Sequence, residues 1–146
     1  MNATTGVTVS MSGPENTFIA GLHRLLPADL YRMKNHNPYN SGIADCWYSG
    51  KRDLWIEYKF IAVPKRGETL INLVGGRAPA LSCLQQEWLK ERHAEGRNVG
   101  VIVGCKDGGA WYPGITWNNA AINSEQFHRD MMPRKNLAKI IHDLTS

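Results

Sequence analysis

The sequence predicts an α/β fold in which a mixed β-sheet packs against helices. An amphipathic helical stretch, LSCLQQEWLKERHAEG (81–96), separates two apolar runs, LWIEYKFIAV (54–63) and VGVIVGC (99–105). The second run is apolar throughout, the pattern of a strand buried on both faces. Ahead of these, a helical stretch is followed by two shorter extended runs. The order is helix, three strands, helix, strand, then a further strand and terminal helices.

Each element has a local reason. In ENTFIAGLHRLLP, residues Phe18, Ile19, Leu22, Leu25 and Leu26 recur at helical spacing and Pro27 ends the run, so a helix is expected over about 14–26. Glu15 falls in its first turn, where a carboxylate suits the helix dipole. DLYRMKNHN reads as a strand before the turn-rich PYNSG; IADCWY and LWIEYKFIAV read as two strands joined across SGKRD, a hairpin with a basic tip. The segment 64–80, bounded by Pro and Gly, reads either as a short edge strand or as a loop. In the next helix Ser82 is the expected N-cap, Leu81, Leu84, Trp88 and Leu89 the buried stripe, and Gly96 the stop. KDGGAWYP turns into another strand, and Pro133 opens a last helix whose apolar face is Leu137, Ile140, Ile141 and Leu144.

With 146 residues, 42% of them hydrophobic, the chain fits one domain: a polar tail over 1–13 and a single domain over 14–146. Seventeen Lys and Arg against thirteen Asp and Glu give a net charge of +4, which permits a polyanionic partner without requiring one. Three cysteines, Cys46, Cys83 and Cys105, show neither zinc spacing nor an even pairing count, which points to a reducing cytoplasm. No apolar run approaches membrane-spanning length, so no membrane partner is expected. No nucleotide-binding glycine loop or G-x-S-x-G nucleophile motif is present.

The chemistry concentrates in the hairpin. Alternation along the strand puts Trp55, Glu57, Lys59 and Ile61 on one face and Leu54, Ile56, Tyr58 and Phe60 on the other. Both faces are largely apolar, so Glu57 and Lys59 lose water, at a cost of several kcal/mol unless they are paired, bind a metal or line a cleft. The plainer alternative is a strand kept soluble by two charges. Asp45, a dozen residues upstream across the turn, favours the first reading, because the hairpin can bring it beside Glu57. Two carboxylates and a Lys suit phosphodiester hydrolysis: hard oxygens for Mg²⁺ or Mn²⁺, and an ammonium for the nucleophile or the developing charge.

With GIAD followed by IEYK, a preceding helix that carries an early Glu and a following LSCLQQEWL helix, the chain resembles the PD-(D/E)XK nuclease superfamily. The likeness is greatest to the small VRR-NUC nucleases and the archaeal Holliday-junction resolvases, and covers about 14–105, leaving 106–146 as a C-terminal extension. It implies a restriction-endonuclease-like αβββαβ core. By position, Asp45 and Glu57 resemble the family's metal-binding carboxylates, the Tyr58 main-chain carbonyl a further ligand, and Lys59 the catalytic Lys. Glu15 matches a supporting first-helix Glu and possible ligand, and Gln85 a Gln directed at the site. Ala44 stands where the motif usually has Pro.

The resemblance further implies a Mg²⁺- or Mn²⁺-dependent DNA endonuclease, structure-selective on branched or junction DNA. It also implies a homodimer in the cytoplasm, the host's if the protein is phage-encoded. The alternatives are a nicking or restriction-type duplex endonuclease and a non-catalytic DNA- or protein-binding module on the same fold. Lys34, His36, Lys51, Arg52, Lys65, Arg66 and Arg77 are candidate phosphate contacts; Lys34 and His36 read first as solvent-exposed strand-end residues, and each of the others can equally be a solvated loop residue. Cys46, facing away from Asp45, reads as a buried thiol; Trp47, Trp55 and Trp88 read as core. Trp111 and Trp117 lie in a Gly/Pro-rich region, where stacking on bases is the alternative to burial.

Overall fold

A computed structural model describes residues 13–35 and 42–146 of the chain. The expected tail up to residue 12 and the candidate His36 lie outside the described residues. The elements are α1 (Pro14–His23), β1 (Tyr31–Lys34), β2 (Cys46–Ser49), β3 (Asp53–Phe60), α2 (Cys83–Ala94), β4 (Val99–Cys105), β5 (Gly108–Pro113), α3 (Ser124–Asp130) and α4 (Arg134–Thr145). The five strands form one sheet in the order β1-β2-β3-β4-β5. The first three make an antiparallel meander, β3 and β4 run parallel, and β5 returns antiparallel to β4. Parallel neighbours need a long crossover; here α2 and the segment before it supply one.

The sheet separates two cores. On one face, Cys46, Tyr48, Leu54, Ile56, Tyr58 and Ile102 pack against Phe18, Ile19 and Leu22 of α1 and Leu137, Ala138 and Ile141 of α4. On the other, Val99, Val101, Val103 and Cys105 pack against Leu89 of α2, Phe127 of α3, and Ile71, Leu73, Leu81 and Trp117 from the connecting loops. The strand VGVIVGC is buried at all seven positions, as its composition predicts. Its glycines are functional in packing: a Cβ at Gly104 would stand 2.8 Å from the Phe18 ring.

Several expectations are refined. The first helix stops at His23, though Leu26 is still buried beyond it. The segment 64–80 forms no named strand, yet it is anchored: Leu70 bridges Asn123, and Ile71 and Leu73 are buried. Leu84, expected in the buried stripe of α2, is 53% exposed. It occupies the first turn, where the helix stands away from the core, and Gln85 takes the inward position. Trp117 is fully buried, its indole N–H donating to the Gly114 carbonyl at 2.8 Å, so it offers no ring for bases. Trp111 is half-buried against the first core. The region 106–146 supplies α4 to the same layer as α1, so it is built into the domain rather than appended to it. No helix among the described residues is long and apolar enough to cross a membrane.

Candidate active site

Asp45 immediately precedes β2, and the register Cys46↔Ile56, Trp47↔Trp55 continues to place it opposite Glu57. Both side chains leave the sheet on the face that carries Trp47 and Trp55, close enough for the Asp45 charge to act on Glu57. The hairpin thus converges the two acids as its alternation predicts.

The end of β2 explains how Asp45 is held. Trp55 and Ile61 donate their N–H groups to Asn98 and Gly104 carbonyls along β4, both at 2.9 Å. The peptide groups of even-numbered β3 residues therefore face β2. Tyr58 lies beyond the last β2 partner, and its N–H is satisfied by Asp45 Oδ2 at 3.0 Å. The side chain replaces a missing ladder bond, and the Tyr58 carbonyl emerges on the same edge of the strand.

Glu57 is 1% exposed. Its Oε2 accepts from Gln85 Nε2 at 3.0 Å and lies 3.6 Å from Lys59 Nζ. Its Oε1 is buried and has no hydrogen-bond partner among the described residues. Burial, and then the charge of Asp45, raise the Glu57 pKa well above the usual carboxylate range, opposed by Lys59. Glu15, in the first turn of α1, is raised by the same two causes in the same order, with Lys59 and Lys34 opposing. An α1 residue thus feels a charge on the first residue of the site.

Gln85 reaches Glu57 because of where it sits in α2. Ser82 caps the helix: its hydroxyl accepts from Gln85 N–H at 3.1 Å while Gln85 Oε1 accepts from Ser82 N–H at 3.0 Å. This capping box fixes the amide so that its Nε2 points at Glu57. Gly42 brings the Asp45 loop against the same turn. Its φ is +90°, and a Cβ there would stand 2.6 Å from the Leu84 carbonyl oxygen. Sequence reading named Ser82 and Gln85 but missed Gly42, for which the only local signal is a Gly three residues before the Asp.

The basic candidates divide by position. Lys34 projects from the other face of β1, hydrogen-bonds to Asn16 Oδ1 in α1, and lies near the site through its effect on Glu15. Lys51 and Arg52 are at the β2–β3 turn, Lys51 six residues after Asp45 and Arg52 five before Glu57, roughly 16–20 Å along the strands, at the opposite end of the hairpin. Their N–H groups bind the Thr145 carbonyl at 2.8 and 3.2 Å, and Arg52 Nη2 binds the Asp143 carbonyl at 2.9 Å. The structure does not bring them to the carboxylates. Lys65, Arg66 and Arg77 are exposed in the loop after β3, Arg66 paired with Glu68 at 3.0 Å.

Among the described residues, no group of three or more His, Cys, Asp or Glu side chains forms a protein cage for a metal ion. What stands there is a carboxylate pair, a buried carboxylate oxygen without a partner and a nearby backbone carbonyl. That donor set fits Mg²⁺, which keeps several waters and takes only one or two protein carboxylates, better than it fits Zn²⁺ or Ca²⁺.

No family model matches the chain, and no curated protein matches it in sequence. Among solved structures it is similar to the Holliday junction resolvase Hjc of the archaeal hyperthermophile Archaeoglobus fulgidus, with a TM-score of 0.52 and 16% identity, over 89% of this chain and 97% of that one. The chain has the fold of that resolvase, the restriction-endonuclease-like α/β architecture expected from the resemblance. An alignment over 89% of the chain omits fewer residues than lie between 106 and 146, so part of that segment has a counterpart in the resolvase, beyond the span the sequence motifs suggested.

Proposed function

We propose that the chain is a divalent-metal-dependent DNA endonuclease that selects its substrate by DNA structure, branched or junction DNA first. The observation that carries this is the buried Glu57, with a partnerless oxygen, facing a partly buried Asp45 and with Lys59 at the rim. So costly a cluster on an otherwise apolar strand is what a cation site needs.

Asp45, Glu57 and the Tyr58 carbonyl would hold Mg²⁺ or Mn²⁺. Bound there, the ion supplies Lewis acidity toward the phosphate and a water of lowered pKa. Lys59, with its side chain 19% exposed, reaches from the pair toward solvent, where its ammonium can orient the attacking water or offset charge on the phosphate oxygens. Gln85 fixes the Glu57 carboxylate, and Glu15 adds negative charge near Asp45. The resolvase fold supports DNA as substrate and a structural rather than a sequence preference.

The test is cleavage of supercoiled plasmid and of four-way, flapped and linear DNA with Mg²⁺, with Mn²⁺ and with EDTA. Cleavage that requires the cation and falls about 10²-fold or more in Glu57→Ala is the expected result. DNA binding with no cleavage on any substrate would make the chain a non-catalytic module, and a Glu57→Ala protein as active as wild type would remove the site.

A further inference from the structure

The face that carries the carboxylates also carries a line of aromatic rings. Tyr31, Trp47, Trp55 and Trp88 follow one another across β1, β2, β3 and α2, with centroid separations of 5.5, 5.8 and 5.4 Å. Trp47 and Trp55 are stacked, 19° between planes; the outer contacts are edge-to-face. The buried end of the line rests on α2, where Arg92 stands 5.8 Å from the Trp88 ring. The other end is open: Tyr31 is 56% exposed and Met33 beside it 42%. Helices α1 and α4 cover the opposite face of the sheet, and α2 reaches this one only over β3 and β4.

The line is in step with the site. Trp47 is two residues from Asp45 and Trp55 two from Glu57, on the same face, so each ring stands about 6–7 Å from its carboxylate along the strand. A phosphate held at the carboxylates would have its neighbouring nucleotide within reach of the open, Tyr31 end of the line. Aromatic rings bind bases by stacking whatever the sequence, but a paired base already has both faces covered within its helix. The exposed large apolar side chains on this face, Tyr31 and Met33 on β1 and Leu84 on α2, are few beside the 800 Å² or so per partner that a stable protein interface requires. The chain's net positive charge favours a polyanion over an apolar partner.

We propose that Tyr31, backed by Trp47 and Trp55, forms a stacking platform for an unpaired base beside the scissile phosphate. The preferred substrate is then DNA with unpaired or splayed nucleotides at the cut, such as a flap, a fork or an opened branch point. This rests on the nuclease reading and adds to it the strand state that the site accepts.

The experiment measures binding in EDTA, by fluorescence anisotropy, of labelled splayed-arm DNA and of fully paired duplex of equal length. It uses the full chain and its Tyr31→Ala, Tyr31→Phe and Trp47→Leu variants, with cleavage of the same DNAs in Mg²⁺ followed separately. Wild type should prefer the splayed DNA. Tyr31→Ala and Trp47→Leu should each weaken that binding by roughly 5- to 150-fold, with duplex binding within about twofold of wild type. Tyr31→Phe, which keeps the ring, should retain the preference. Equal affinity of wild type for the two DNAs, equal losses on both, or no loss in either variant overturns the platform. If cleavage is absent throughout while the selective binding loss holds, the platform stands and the nuclease reading falls. If Mg²⁺-dependent cleavage proceeds while the variants bind splayed DNA like wild type, the reverse holds.

Discussion

Replacing Glu57 by Gln should stabilise the metal-free protein while abolishing cleavage. The wild-type carboxylate is 1% exposed, faces Asp45, and leaves Oε1 without a partner. An unsatisfied buried acceptor costs about 1–3 kcal/mol. A glutamine keeps an oxygen for Gln85 Nε2 and turns its own NH₂ toward Asp45, removing both the orphan and the like-charge contact. The lost attraction to Lys59, at 3.6 Å and partly exposed, offsets only a fraction, because that ammonium can turn to water. At roughly 2–4 °C per kcal/mol for a chain of this size, Tm in EDTA at pH 8 should rise by about 3–10 °C. The sign follows from linkage. The folded pKa of Glu57 is raised above 4.5, so the wild-type stabilisation from its bound proton is fully present below about 4.5 and lost as pH rises through the folded value. Glutamine does not titrate, so the variant's advantage should shrink toward pH 5. Added Mg²⁺ should raise the wild-type Tm and leave the variant's unchanged. Thermal melts at pH 5 and pH 8, with and without Mg²⁺, measure all of this. A variant melting below wild type at pH 8 in EDTA would show that Glu57 is a favourable ion-pair partner, and the reasoning would fail.

Three further outcomes follow from the same contacts. Ser82→Ala should cost about 1 kcal/mol by removing the cap alone, whereas Gln85→Ala should cost as much and also lower cleavage about 10-fold or more; denaturant melts and kcat compared between the two separate cap from site. Gly42→Ala should destabilise by about 2 kcal/mol or more, through its positive φ and the clash with the Leu84 carbonyl, and should lower cleavage too because both the Asp45 loop and the Gln85 turn must move; chemical denaturation and nuclease assays read these. His23, hydrogen-bonded to Tyr48 at 2.7 Å, has its pKa lowered to about 4, by burial first and then by Arg32 and Lys34. The stability from keeping it neutral is full above pH 6.5 and lost as pH falls toward 4: roughly 3 kcal/mol by linkage, about 1–2 after screening of a half-buried ring. The pH–Tm profile of His23→Gln should be flatter than wild type across that window.

The parts of this protein that were legible in its sequence are those that depend on period and spacing. Alternation in β3 put Glu57 and Lys59 on one face, a dozen-residue hairpin brought Asp45 opposite, and uniform apolarity marked β4 as a central strand. What was not legible depends on which side of an element the rest of the chain covers. Leu84 has the hydrophobicity of a core residue, but the first turn of α2 is committed to the Ser82–Gln85 cap and to Glu57, so Leu84 is left in solvent. Trp117, in a Gly- and Pro-rich stretch that reads as open, is closed in by the 64–80 segment and α3. Trp47 is partly buried and belongs to neither core cluster, for the same reason. Its residue type says core, but among the described residues neither core cluster extends over the β1–β2 end of its face. Its place two residues after Asp45 was visible all along.

The division of labour between the sheet's two faces follows from this. One face of the β1–β3 meander is closed by α1 and α4, and its buried hydroxyls, Tyr48 and Tyr58 at 2.6 Å from each other, extend to His23. That closed face braces the strand pair up to Cys46↔Ile56, where the β2–β3 pairing ends. That bracing is what lets a short side chain such as Asp45 serve as the Tyr58 hydrogen-bond acceptor and still face Glu57. Destabilising the covered face should therefore be felt at the uncovered one. A Tyr48→Phe protein loses only a buried hydroxyl far from any phosphate. If Asp45 is held through the strand pair, Tyr48→Phe should lower kcat with little change in KM, in proportion to the loss of Tyr58 amide protection in hydrogen exchange. If kcat falls while Tyr58 protection is unchanged, the two faces are not coupled through this strand end.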